Sequence, residues 1–180
     1  MRMAGFYDES ISNGLGWRAV LFVSGCPHHC PGCQNKEAQS FSYGEEFDSK
    51  KIIEKIKENS ILRGITISGG EPLCMENIKE VSNFIKEVKK VRPNFNVWCY
   101  SGYTFDELLA RNDEATNECL KEIDVLVDGE FIESKKDPNL KFKGSSNQQQ
   151  LLLFRDYEWR FRLIQYKKYG HLLSIYDMVL

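Results

Sequence analysis

The sequence has little of what would carry a chain into or across a membrane. No apolar run approaches the ~20 residues that a helical span needs. The first nine residues, Met1-Arg2-Met3-Ala4-Gly5-Phe6-Tyr7-Asp8-Glu9, hold no apolar core and reach acids early, so they do not read as a secretory signal. Charge of neither sign is in excess, the formal net charge being −2. Neither a nucleic acid nor a membrane surface is therefore an expected partner. Internal repeats, low-complexity tracts and linkers rich in Pro, Gly or Ser are also absent. The 180 residues suffice for one domain with a sizeable core, spanning the whole chain. The expected location is cytoplasmic, where thiols stay reduced and clustered cysteines favour metal over disulfide.

Metal-ligand pairs are scarce as well. No second C-x-x-C and no H-x3-H follows later in the chain, and His171 stands alone. What is present is one tight loop, Cys26-Pro27-His28-His29-Cys30-Pro31-Gly32-Cys33, with C-x3-C-x2-C spacing. Structural zinc usually takes two ligand pairs, so the missing second pair argues against it, although Cys3His with His28 or His29 would complete a site. A cubane 4Fe–4S cluster takes one thiolate per iron. Three thiolates leave one iron open to a further ligand, which makes the loop a reactive centre. Cys74, Cys99 and Cys119 are isolated from one another and read as ordinary buried cysteines.

Apolar runs alternate with amphipathic stretches, the βα rhythm of a parallel sheet. Trp17 to Val23, Gly64 to Ser68, Phe95 to Tyr100 and Ile123 to Val127 read as strands. A helix is expected from Asp48, with Phe47 and Ile52 spaced as a hydrophobic staple. A second carries Ile78, Val81, Ile85 and Val88 and stops before Pro93. Thr104-Phe105-Asp106-Glu107 is a capping box opening a third. After each strand comes an unusual cluster: the cysteine loop, Ser68-Gly69-Gly70-Glu71-Pro72, Ser101-Gly102-Tyr103, and Asp128-Gly129-Glu130-Phe131. In parallel α/β folds ligands bind at the carboxyl ends of strands, so the four clusters predict one functional rim.

The cysteine loop, Asn13-Gly14, Leu21 to Gly25, Asn35, Ile67 to Leu73, Tyr100 to Tyr103, Asp128-Gly129 and Gly144-Ser145-Ser146-Asn147-Gln148 together resemble the radical S-adenosylmethionine superfamily. Within it they resemble the family that activates anaerobic ribonucleoside-triphosphate reductase. The resemblance implies an α/β fold, an incomplete radical-SAM βα barrel with mainly parallel strands. It implies that Cys26, Cys30 and Cys33 hold a 4Fe–4S cluster and that S-adenosylmethionine binds its fourth iron. Reductive cleavage would give a 5′-deoxyadenosyl radical, and that radical would take hydrogen from a glycine of the partner reductase. The electron would come from a donor such as flavodoxin. The implied cofactor contacts are Gly32, Cys33 and Gln34 near the adenosine part and Gly69, Gly70 and Glu71 at the methionine amino group. Ser101 and Asp128 lie on the same rim and complete the candidate set. Gly69 and Gly70, lacking Cβ, would let the backbone approach that ligand closely.

Other readings differ in target or in class. The chain could activate another glycyl-radical enzyme, such as pyruvate formate-lyase (formate C-acetyltransferase), or act on a small molecule. It could also be a zinc-stabilised binding module without catalysis. Residues 151–180 carry nothing of the pattern and read as a divergent C-terminal extension. There Tyr157, Trp159, Phe161 and Leu163 alternate with charged residues at strand period, which predicts an added edge strand.

Overall fold

The computed structural model describes residues 1–154, 160–166 and 172–179, the side chains as far as Leu153. One mixed sheet runs through the molecule. Its strands are β1 (Arg2–Ser10), β2 (Arg18–Val23), β3 (Glu45–Glu46), β4 (Gly64–Gly69), β5 (Asn96–Tyr100), β6 (Val125–Asp128), β7 (Gln149–Phe154), β8 (Arg160–Tyr166) and β9 (Leu172–Val179). Their order in space is β3-β1-β2-β4-β5-β6-β7-β8-β9. The helices are α1 (Ser49–Glu58), α2 (Ile78–Val91), α3 (Phe105–Ala110) and α4 (Glu114–Glu122).

The four strands expected from the sequence are the centre of this sheet. β2, β4, β5 and β6 pair in parallel. The expectation of mainly parallel strands holds only there, because β1 and β3 on one flank and β7, β8 and β9 on the other pair antiparallel. The expected edge strand near residue 160 is β8, but it lies inside the sheet, and β9 forms the edge. Tyr157 and Trp159 fall outside the described residues.

Side chains alternate across a strand, so the central strands have two distinct faces. Ala19, Leu21, Val23, Ile65, Ile67, Val97, Cys99 and Leu126 join the main core with the helices. α2 contributes Ile78, Val81, Phe84, Ile85 and Val88, all at most 1% exposed. Each such side chain is worth about 1.5–3 kcal/mol of burial. The other face carries Trp98, Val125 and Val127, with Phe142 packed on it. Buried Arg18 and Thr66 also belong to this second face, by the same alternation.

The helix signals lie where the sequence put them. Asp48 caps α1 by accepting from the Lys51 amide at 3.2 Å. Phe47 packs edge-on against Phe84 of α2, with ring centroids 5.2 Å apart. Thr104 and Glu107 make both bonds of the capping box at the start of α3. α4, capped by Asp113, adds a helix the sequence reading left out.

Candidate functional site

The carboxyl ends of the parallel strands and the second sheet face enclose a cavity of about 570 Å3. That lies within the usual range for a small-molecule site. Cys26, Cys30 and Cys33 all line it, as do Gln34, Gly69, Gly70, Glu71 and Ser101. The structure thus gathers eight of the ten residues expected at the site. Gly32 and Asp128 are not among the lining residues. Gly32 turns the loop at φ +70° with the Glu133 side chain where a Cβ would stand. The Asp128 carboxylate accepts from the Phe105 amide at 2.8 Å, at the start of α3. Burial raises its pKa. Asp128 thus secures a helix end.

The cysteine loop is pinned from below by backbone. Gly25 N donates to Ala38 O at 2.8 Å and Cys26 N to Gln39 O at 3.0 Å. Gly70 N reaches Val23 O at 2.7 Å and Glu71 N reaches Gly25 O at 2.7 Å. Asn35 closes the far side by donating to Gly69 O at 3.1 Å. These crossings explain the two glycines better than space for a ligand does. A Cβ at Gly70 would collide with the carbonyl oxygens of Gly25 and Ala38. One at Gly69, where φ is +103°, would press on the Val23 backbone. Both glycines line the cavity, but chain crossing takes the place of their missing side chains.

Glu71 sits at the centre of the rim, 1% exposed. Its Oε1 accepts from the Leu73 amide and the Ser101 hydroxyl, both at 2.9 Å. Its Oε2 accepts from the Gly102 amide at 2.6 Å and faces His28 Nε2 at 3.1 Å. The other His28 nitrogen, Nδ1, lies 2.8 Å from Glu130 Oε1. The hydrogen bond to Glu71 leads the causes that raise the His28 pKa. With both ring nitrogens engaged by carboxylates, His28 is not placed as a fourth ligand beside the cysteines.

Burial pushes the Cys26 pKa up to about 11 and also raises that of Cys30. Buried thiols keep their protons until a metal displaces them. Among the described residues no three His, Cys, Asp or Glu side chains are grouped around the position of a single ion. A cubane does not require such convergence, because each thiolate takes its own iron.

The wall facing the loop is the β6–β7 connection, and Gln148 ties it together. Its Oε1 accepts from the amides of Gly144 at 2.8 Å and Ser145 at 3.2 Å, while its Nε2 donates to Gly129 O at 2.8 Å. Asn147 donates to Glu130 O at 2.8 Å. The Gly-Ser-Ser-Asn-Gln run therefore shapes the wall. Phe142 in that wall packs edge-on against Trp98, with centroids 5.4 Å apart, and accepts from the Tyr100 hydroxyl at 2.9 Å. Sequence reading missed Phe142 as part of the site, and it named His28 only as an alternative zinc ligand without the partners it has here. Their partners lie 43 and 102 residues away for His28 and 42 for Phe142, beyond any local pattern.

Comparison with known proteins agrees with this geometry. The family described as "4Fe-4S single cluster domain" matches residues 12–151. An anaerobic ribonucleoside-triphosphate reductase-activating protein of Haemophilus influenzae is 42% identical over 147 residues, covering 79% of this chain and 92% of its own. Its counterpart in Pasteurella multocida is 43% identical over 152 residues, 82% of this chain and 95% of its own. The one from phage T4 is 34% identical over 156 residues, 86% and 95% of the two chains.

Proposed function

The chain belongs to the family of anaerobic ribonucleoside-triphosphate reductase-activating proteins, and from that premise we propose that it installs a glycyl radical on such a reductase. The observation that carries the reading is the cavity itself: three cysteines line it at the ends of parallel strands, and the lining imidazole of His28 is already held by two carboxylates. Cys26, Cys30 and Cys33 would hold the 4Fe–4S cluster. When bound, the cluster and S-adenosylmethionine supply the one-electron chemistry that yields a 5′-deoxyadenosyl radical and removes hydrogen from the partner's glycine. The hard chemistry is the cofactors', and the protein's share is to bind, orient and exclude water.

Gln34, Ser101 and the backbone of Gly69 and Gly70 are the lining groups we assign to S-adenosylmethionine. We read the four parallel strands, helices on one face and cavity on the other, as an incomplete radical-SAM βα barrel, and residues 1–180 as a single domain. The family model ends at residue 151, before β8 and β9, so the extension is not part of the matched unit. No described helix is long and apolar enough to cross a membrane. A cytoplasmic site of action and a donor such as flavodoxin complete the reading. The names of the relatives favour the ribonucleotide reductase over pyruvate formate-lyase as target.

The test is anaerobic reconstitution of the full chain. The expected result is iron and sulfide near four each per chain, an EPR signal that changes on adding S-adenosylmethionine, and a glycyl-radical signal once the reductase is present. Zinc alone, with no sulfide taken up, would reject the reading.

A further inference from the structure

We propose that His28 is a positioning residue that acts through Glu71. It holds the cysteine loop and the Ser101-Gly102 turn in one arrangement, ready for the cofactors. The proposal rests on the assignment of Cys26, Cys30 and Cys33 as cluster ligands. His28 lies between the first two of them in sequence. Its ring touches residues that follow three strand ends. Nε2 reaches Glu71 after β4 at 3.1 Å, and Nδ1 reaches Glu130 after β6 at 2.8 Å. The ring packs edge-on against Tyr103 after β5, with centroids 4.3 Å apart.

Space for the ring is built in. A Cβ at Gly102 would stand 2.5 Å from the His28 ring, so only glycine fits there. That same Gly102 donates its amide to Glu71 Oε2, the oxygen that His28 also engages. The carboxylate has about four acceptor positions. Leu73, Ser101, Gly102 and His28 fill them. Glu71 is thus committed to protein partners, and its part is to tie the turn after β5 to the cysteine loop. This replaces its expected role as a direct contact of the methionine amino group.

The two carboxylates are unequal. The Glu71 side chain is 1% exposed and that of Glu130 is 55% exposed. A charged hydrogen bond that water competes for contributes little, so the Glu71 bond should dominate. Two substitutions separate the bonds by reach. The amide nitrogen of His28→Gln can stand near Nε2 and donate to Glu71. That of His28→Asn can stand near Nδ1 and donate to Glu130.

Two measurements on the full chain read the outcome. In the cluster-free protein, hydrogen exchange at the Gly102 amide reports how firmly Glu71 is held. In the reconstituted protein, the EPR signal of the reduced cluster is titrated with S-adenosylmethionine. His28→Ala should speed Gly102 exchange about tenfold and raise the titration midpoint about tenfold, the size of one buried charged hydrogen bond. His28→Gln should restore both to within about threefold, and His28→Asn should restore neither. Equal behaviour of the Gln and Asn variants, whether both intact or both impaired, overturns the proposal. Unchanged exchange in His28→Ala does the same. If the wild-type chain takes up no cluster, the proposed function fails, while the exchange experiment still decides the brace.

Discussion

The two ends of the parallel strands each hold a buried charge, and the two are stabilised in different ways. At the carboxyl ends Glu71 takes four donors from three segments, one of them an imidazole that also meets a second carboxylate. At the amino ends Arg18, 1% exposed, spends all five of its N–H groups on neutral acceptors. Nε donates to Thr66 Oγ1 at 2.7 Å, Nη1 to Leu15 O at 3.1 Å and Asn96 Oδ1 at 3.3 Å, and Nη2 to Ile65 O at 2.5 Å and Asn96 O at 2.7 Å. Its ring neighbour is Trp98, 5.4 Å away. Burial lowers the guanidinium pKa to about 10, which still leaves it charged at neutral pH. Each charge joins loops that local sequence could not join. The Glu71 network adjoins the cysteines and can affect chemistry; the Arg18 network closes the opposite end of the sheet.

The largest effects should separate chemistry from fold. Cys30→Ala is expected to abolish cluster assembly while leaving the denaturation midpoint of the cluster-free chain nearly unchanged. Cys119→Ala, fully buried behind the sheet, should keep its iron. Retained iron in the first variant or lost iron in the second would refute the ligand assignment. Arg18→Met should act in reverse, lowering the stability of the cluster-free chain by about 3–5 kcal/mol, because several buried acceptors lose their donors together. Arg18→Lys should recover little, since an ammonium has three donors where five are used. A urea midpoint for Arg18→Lys equal to wild type would show that charge alone matters at this end.

Gly70→Ala tests how closely the rim is built. The added methyl meets the carbonyls of Gly25 and Ala38, which flank the cysteine loop. Overpacking of this kind costs about 1–3 kcal/mol. Iron content and stability should therefore fall together. A variant that keeps full iron and loses only its response to S-adenosylmethionine would restore the view that the glycine leaves room for a ligand.

The sequence made the rim legible and hid the connections within it. The cysteine spacing, the four central strands and the capping box all rest on local patterns, and all stand in the structure. β1 escaped because it lies mostly at intermediate or exposed positions and shows no clear alternation. α4 escaped because its short run Glu114–Glu122 buries only Thr116, Cys119 and Leu120. Arg18 carried a readable signal. It is the one charged residue in a strand that is otherwise Ala19-Val20-Leu21-Phe22-Val23, where both faces are apolar. A charge in such a run must find partners, but Thr66 and Asn96 lie 48 and 78 residues away. Glu71 and His28 both fall in clusters read as rim, yet their pairing was not legible, since nothing local fixes an imidazole to a distant carboxylate.

The smallest effect should come from a charge that is not buried. Asp113 caps α4, its carboxylate accepting from the Thr116 amide at 2.8 Å and the Thr116 hydroxyl at 2.7 Å. The hydroxyl bond leads the causes that hold its pKa below the ordinary aspartate value. A carboxylate with a depressed pKa stabilises the fold above its unfolded pKa, and that contribution is lost as pH falls through the folded value. Asp113→Ala should cost about 1 kcal/mol at pH 7, the usual worth of an N-cap, and the cost should shrink as the solution is acidified. Asp113→Asn keeps an acceptor for the helix amide and should lose less at pH 7, with a flatter dependence on pH. Chemical denaturation of the three proteins at pH 7 and at successively lower pH checks both statements. A loss in Asp113→Ala as large as in Arg18→Met would mean that exposure does not weaken a charge here, and that the contrast between buried hubs and surface caps does not hold in this protein.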